Sequence, residues 1–204
     1  MVYFPHSGGE LLPSFEQSEM NYLGFVVRSG RALLFPMYKN TYERRLSQPP
    51  TGQHGFLDLT IARMKDLQRS VDYVYTRSDL DHDRLAYFGV SMGGRLGVVA
   101  LAVEPRLKLG VLWAGGFPVT PRLPERDEIN FAPRVKVPVL MLNGKQDFTF
   151  PVETSQVPMF RALGTPAADK RHVLSEGGHA LPFASMIKDT LDWLDKYLGT
   201  PKPR

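Results

Sequence analysis

Residues 87–94 read YFGVSMGG and place a serine between glycines directly after an apolar run. Within it, Gly89-Val90-Ser91-Met92-Gly93 matches the pattern G-x-S-x-G, in which a serine leaves the end of a strand and opens a helix. The preceding residues, 84–90, have the length and apolar character of a buried strand, and residues 93–104 have a helix-like pattern. A turn this sharp crowds its neighbours, so glycines at positions 89 and 93 favour a strand–turn–helix unit here.

Strand-like and helix-like segments alternate on both sides of this turn, which predicts an α/β fold with a mostly parallel sheet. The segment 38–56 is rich in polar and turn-forming residues and is predicted to be a long loop, followed by a helix that Asp58 caps. The predicted strands are 2–4, 25–28, 32–36, 84–90, 107–113, 137–143 and 170–175, and the predicted helices are 57–77, 93–104, 152–163 and 183–198.

The composition is that of a globular protein, with 43% hydrophobic and 23% charged residues in a chain of 204. This length predicts a single domain over residues 1–198 with a short tail, 199–204. Because residue 2 already begins a predicted strand, we expect a domain that lacks leading strands or a chain that is part of a longer protein. The absence of cysteine excludes a thiol nucleophile and a thiolate metal site.

Charge and hydropathy argue against several classes of partner. The formal net charge is +4, but basic and acidic residues are interleaved, so we expect no nucleic-acid partner. No apolar run approaches the roughly 20 residues of a membrane span, and the first ten residues lack the features of a signal peptide, which predicts a cytoplasmic protein without membrane association. No metal-ligand cluster or phosphate-binding glycine motif is present, so we expect no metal and no cofactor, and the oligomeric state stays open.

The residues downstream of Ser91 supply the partners that a serine nucleophile needs. A serine hydroxyl requires a base, and the base requires an orienting carboxylate. After a G-x-S-x-G turn these follow in the order acid, histidine, each beyond the end of a later strand. Asp147 follows predicted strand 137–143, and His179 follows predicted strand 170–175. We therefore predict Ser91 as nucleophile, His179 as base and Asp147 as the orienting acid, against the alternative of a helix-capping serine with unrelated turn residues.

An oxyanion hole and a substrate pocket are expected around these three residues. The Met92 amide follows the nucleophile, and the glycine-containing segment 6–9 after the first strand offers Ser7, with Gly8, as the second donor. A plain glycine-rich turn is the alternative for that segment. Four aromatic residues near predicted strand ends are candidate pocket residues, with core packing as their alternative role: Trp113, Phe117, Phe148 and Phe150.

Nearly the whole chain resembles the α/β-hydrolase superfamily, and more narrowly its dienelactone-hydrolase-like and prolyl-oligopeptidase-like serine esterases. The resemblance is carried by residues 89–94, by 138–147 with the sequence N-G-x-x-D at its end, and by Gly177-Gly178-His179, while residues 5–9 look like a variant of the oxyanion loop. It implies an α/β-hydrolase fold and a carboxylesterase that forms an acyl-enzyme. Dienelactone hydrolases proper use a cysteine nucleophile, which this chain lacks, and the peptidases carry a gating domain that 204 residues do not accommodate.

The segment between Trp113 and Val137 is too short for a large cap domain, so a minimal cap or none is expected. Without a cap there is little apolar surface to bind a long acyl chain, which favours small, short-acyl esters as substrates. Two alternatives stay open. One is a peptidase-like or lactone hydrolase of the same superfamily, and the other is a non-catalytic hydrolase-like binding module of a larger protein.

Overall fold

The computed structural model describes residues 1–15, 20–180 and 182–201, so residues 202–204 of the predicted tail lie outside the described residues. Within them, five parallel strands form one sheet in sequential order. The strands are β1 Val2–Phe4, β2 Ala86–Val90, β3 Leu109–Trp113, β4 Val139–Gly144 and β5 Lys170–Ser175. The α-helices are α1 Met20–Arg28, α2 Gly52–Tyr75, α3 Met92–Val103, α4 Val157–Ala162 and α5 Phe183–Leu198.

Helices cover both faces of the sheet, as the buried, nearly continuous apolar strands require. On one face, α2, α3 and α4 pack against alternate strand residues such as Leu112. On the other face, α1 and α5 pack against the intervening residues, among them Val111 and Trp113. Because successive side chains of a strand point to opposite faces, β1, β2, β3 and β4 each contribute to both cores.

The predictions for the segment before α2 were partly wrong. Residues 25–28 belong to helix α1, in which Leu23 and Val26 are fully buried while Val27 is 57% exposed. A run of three apolar residues, Phe25 to Val27, is too short to show whether its period is two or 3.6. Predicted strand 32–36 is reduced to a single parallel bridge between Leu34 and Val2.

Helix α2 begins earlier than predicted and shortens the expected long loop. Its first residue is Gly52 and its N-cap is Thr51, so the prediction that Asp58 caps the helix is wrong. The loop before it is anchored in the core, where the Tyr38 ring stacks on Phe4 with 4.0 Å between centroids. The Tyr38 hydroxyl donates a hydrogen bond to the carbonyl oxygen of Tyr3 at 3.1 Å.

The parallel sheet gathers all five carboxyl-terminal strand ends at one edge, which is where α/β folds carry their sites. The segment between β3 and β4 contains only two short 3₁₀ turns, Glu128–Asn130 and Ala132–Arg134, so no cap domain covers this edge in the described part of the chain. Among the described residues, no helix is long and apolar enough to cross a membrane.

Candidate active site

Ser91 lies in the sharp turn between β2 and α3, with φ 54° and ψ −105°. A non-glycine residue rarely adopts this conformation, so the backbone at Ser91 is strained. The strained turn directs the serine outward. The surrounding glycines make the turn possible. A Cβ atom at Gly89 would lie under 3.0 Å from the carbonyl of Gly93, and one at Gly93 would collide in the same way with the carbonyl of Phe4.

Ser91, His179 and Asp147 form a continuous chain of hydrogen-bond contacts. The Ser91 Oγ lies 2.8 Å from His179 Nε2, and His179 Nδ1 lies 2.8 Å from Asp147 Oδ2. With the proton on Nδ1, the imidazole donates to the carboxylate and accepts from the serine hydroxyl. This is the arrangement in which the imidazole can remove the serine proton.

Backbone amides fix the orientation of the Asp147 carboxylate. Its Oδ1 accepts hydrogen bonds from the amides of Thr149 at 2.8 Å and Phe150 at 3.0 Å, while Oδ2 contacts His179. The Asp147 side chain has no solvent exposure, whereas His179 remains 34% exposed. The carboxylate is thus held rigidly on the protein side of the imidazole, and the imidazole keeps an open side toward solvent.

The loops that carry the acid and the histidine are bonded to each other. The Gln146 amide donates to the carbonyl of Gly177 at 2.9 Å, and the Gly177 amide donates to Gln146 Oε1 at 2.7 Å. Gly144, the last residue of β4, permits this contact because a Cβ there would lie under 3.0 Å from the carbonyls of Gly177 and Gly178. This pairing holds Asp147 and His179 in register.

A second histidine supports the site from within the sheet. Burial lowers the pKa of His172 to about 4, so the ring is neutral and its Nε2–H donates to Asn143 Oδ1 at 3.2 Å. The Asn143 amide donates in turn to the carbonyl of Gly115 at 2.8 Å. This link ties β5 and β4 to the loop after β3, where an added Cβ on Gly115 would lie under 3.0 Å from backbone atoms of Gly94 in the nucleophile turn.

Two of the three predicted oxyanion donors retain unpaired amides. Among the described residues, neither the Ser7 nor the Met92 amide has a hydrogen-bond acceptor, and both residues line the same cavity as Ser91. The prediction for Gly8 is wrong, because its amide already donates to His6 Nδ1 at 3.0 Å. That bond caps the short 3₁₀ helix Ser7–Glu10, whose N-cap residue is His6.

A cavity of about 690 Å³ opens beside Ser91, and only one of the four predicted aromatic residues lines it. Phe150 lies in its wall and near His179, with 5.9 Å between ring centroids. Trp113 is instead a core residue on the opposite face of the sheet, where its Nε1–H donates to Thr190 Oγ1 at 3.0 Å. Phe117 is also buried in the core, and Phe148 is 94% exposed outside the cavity, so the pocket assignments of these three residues were wrong.

Sequence reasoning missed the charged lining of this cavity. Its signal lay in the helical spacing of Arg95, one turn after Ser91, and in Arg122 and Arg126 of the segment between β3 and β4. Among the described residues, no group of three or more His, Asp or Glu side chains could hold a metal ion. Of the residues that the structure describes, four arginines, Arg63, Arg95, Arg122 and Arg126, and one acidic residue, Glu10, line the cavity.

The sequence of the chain is similar to those of known hydrolases. Residues 32–181 match the family model described as the dienelactone hydrolase family. Cutinase 2 of Thermobifida cellulosilytica is 27% identical in a match that covers 83% of this chain and 73% of that protein.

Solved structures show the same fold at low sequence identity. A cold-adapted esterase from an Arctic intertidal metagenomic library superposes with a TM-score of 0.72 at 22% identity, over 96% of this chain and 82% of that chain. Acetyl xylan esterase 1 of Thermoanaerobacterium sp. superposes with a TM-score of 0.74 at 18% identity, over 96% of this chain and 74% of that chain. The predicted α/β-hydrolase fold is thereby confirmed.

Proposed function

The chain belongs to the dienelactone hydrolase family of esterase-type hydrolases, and we propose that it is a serine carboxylesterase acting on small esters through an acyl-enzyme. The observation that carries the proposal is the unbroken contact chain from Ser91 through His179 to Asp147, with 2.8 Å at each step. A strained turn, a buried carboxylate and an exposed imidazole edge around that chain are what nucleophilic catalysis requires.

In the proposed reaction, Ser91 Oγ attacks the ester carbonyl as His179 Nε2 takes its proton. The carbonyl oxygen becomes an oxyanion, and the unpaired amides of Met92 and Ser7 are its proposed donors. When the tetrahedral intermediate collapses, the carbon–oxygen bond to the alcohol breaks and the imidazolium gives its proton to the leaving alkoxide. Water, deprotonated by the same imidazole, then cleaves the acyl-serine ester and restores the hydroxyl.

A fluorophosphonate probe tests whether the serine is activated. We expect rapid covalent labelling of the native protein at Ser91 and loss of labelling after heat denaturation, because only the folded site combines the base with the oxyanion donors. The control for the site of labelling is the variant Ser185→Ala. Ser185 is exposed, and among the described residues its Oγ contacts only the carbonyl of Pro182. Labelling of the control at the native rate is expected, while equal labelling of native and denatured protein would favour the non-catalytic module.

A preference for short acyl chains is the expected specificity. The cavity beside Ser91 mixes apolar residues such as Phe56, Leu59 and Phe150 with charged ones, among them four arginines, so it offers no continuous apolar wall for a long acyl chain. Each methylene that is not buried forgoes about 0.8 kcal/mol of binding. For 4-nitrophenyl esters below their critical micelle concentrations, we therefore expect kcat/KM to gain nothing from the eight extra methylenes of dodecanoate and to be highest for the short acyl chains such as butyrate. Higher efficiency on dodecanoate would contradict the proposed short-acyl specificity.

A further inference from the structure

Gln156 is a buried polar residue that the proposed reaction does not use. It is the last residue of a π-helical turn, Val152–Gln156, and it is fully buried. The turn is wide because the Gln156 amide donates to the carbonyl of Pro151, five residues back, at 3.2 Å. Such turns are rare and occur frequently at functional sites. A buried amide side chain in this position requires hydrogen-bond partners.

The side-chain NH₂ group of Gln156 binds both ends of the loop that carries Asp147. This loop, residues 144–150, begins with the last residue of β4 and is here called the acid loop. Gln156 Nε2 donates to the carbonyl of Gly144 at 3.0 Å and to the carbonyl of Phe150 at 2.7 Å. A single NH₂ group thus connects the two ends of the acid loop.

The two carbonyls determine the orientation of the Gln156 side chain. In the opposite orientation, Gln156 Oε1 would face two carbonyl oxygens, and both would lose their donor. In the observed orientation, Oε1 is buried without a hydrogen-bond partner among the described residues. A buried polar atom without a partner is unfavourable. The contacts of the NH₂ group with the acid loop therefore decide how this side chain is placed.

The bond from Gln156 to Phe150 anchors the second half of the acid loop. The first half is held by the neighbouring strand, since the Lys145 amide donates to the carbonyl of Ser175 at 3.0 Å. For residues 148–150, the described part of the chain contains no other hydrogen bond to a residue outside the acid loop. The Phe150 amide also binds Asp147 Oδ1 at 3.0 Å, so the anchored residue is one that orients the carboxylate.

We propose that Gln156 is a positioning residue for Asp147 and that it acts by fixing the backbone of Phe150. The inference rests on the proposed esterase function and adds a residue to its machinery. With the Phe150 carbonyl held, the Phe150 amide stays directed at Asp147 Oδ1, and Oδ2 stays directed at His179 Nδ1. The carboxylate stabilises an imidazolium that forms only during the reaction, so Gln156 affects turnover more than substrate binding.

Replacing Gln156 with methionine tests the proposal, because methionine has nearly the same length but no hydrogen-bond donor. For 4-nitrophenyl butyrate, we expect kcat to fall about tenfold to a hundredfold, as a small misplacement of a catalytic group causes, and KM to change less than about threefold. Acylation and deacylation both use His179, so kcat falls whichever step is slower. Gln156→Asn has a shorter side chain that can reach at most one of the two carbonyls, and it is expected to lose less activity than Gln156→Met.

Gln68→Met is the matched control for this experiment. Gln68 is half-buried on α2, and its Nε2 donates to the carbonyl of Val103 at the end of α3 at 3.2 Å. The substitution therefore removes a bond of the same kind away from the site, and we expect a lower melting temperature with native kcat. Native kcat in folded Gln156→Met, or a raised KM alone, would overturn the proposal. Failure of both Gln156 variants to fold would also overturn it, because the residue would then be needed for the fold itself.

Nitrogen NMR of the imidazole separates this inference from the proposed function, because it needs no turnover. With ¹⁵N-labelled histidine, the His179 signals are identified by their absence in His179→Gln. At mildly alkaline pH, where an unperturbed imidazole is neutral, we expect the proton on Nδ1 in the native protein and a mixture of both tautomers in Gln156→Met. This change in a protein that hydrolyses no ester would support the positioning role and contradict the proposed esterase function. Ester hydrolysis with an unchanged tautomer in Gln156→Met would support the esterase and overturn the positioning role.

Discussion

Replacing Ser91 with alanine is expected to lower kcat/KM for 4-nitrophenyl butyrate roughly a thousandfold or more. The substitution removes the oxygen that lies 2.8 Å from His179 Nε2, and no other hydroxyl among the described residues contacts that nitrogen. The backbone of the turn should persist, because the amide of residue 91 still donates to the carbonyl of Trp113 at 2.8 Å. The measurement is initial-rate kinetics, corrected for spontaneous hydrolysis, together with a thermal melt to show that the variant is folded.

Ser185→Ala is the control for this experiment, since it makes the same chemical change on the exposed first turn of α5. Native activity is expected for it. If folded Ser91→Ala kept a tenth or more of the native kcat/KM, the acyl-enzyme route through Ser91 would be wrong, and the hydrolysis would require another nucleophile or a directly activated water.

The nucleophile turn could be predicted from the sequence because its constraints are local. Gly89 and Gly93 are required by backbone atoms within a few residues along the chain or on the neighbouring strand, so the pattern itself encodes the geometry. The positions of Asp147 and His179 could be predicted from the topology of a parallel sheet. Both residues follow parallel strands, and parallel strands bring their carboxyl ends to one edge.

The pocket residues could not be predicted in this way, because they depend on which face of the sheet a side chain occupies. Trp113 is the last residue of β3, directly before the site, yet its ring stacks on Phe25 of α1 with 5.8 Å between centroids. Alternation places neighbours on opposite faces but does not say which face the site occupies. The arginines that line the cavity are still less local, since Arg95 and Arg122 both reach Glu128 after the segment between β3 and β4 has folded back onto α3.

Replacing Asp147 with asparagine is expected to lower kcat/KM roughly ten-thousandfold, the size of the loss that the same change causes in a serine protease triad. The reason lies in the two amides that bind Asp147 Oδ1, those of Thr149 and Phe150 at 2.8 and 3.0 Å. An asparagine at this position must keep its carbonyl oxygen toward these donors, because its NH₂ group would face them without an acceptor. The NH₂ group then points at His179 Nδ1, in the place of the carboxylate oxygen that lies there at 2.8 Å.

That orientation of the asparagine side chain reverses the tautomer of the His179 imidazole. With an amide donor facing it, Nδ1 must accept, so the ring proton moves to Nε2 and the nitrogen beside Ser91 Oγ can no longer take the serine proton. The fold should be little affected, since the Thr149 and Phe150 amides keep their acceptor, and we expect a melting temperature close to native. The loss should therefore appear in kcat and in the rate of fluorophosphonate labelling. A folded Asp147→Asn variant that labels and turns over at the native rate would show that another group orients His179.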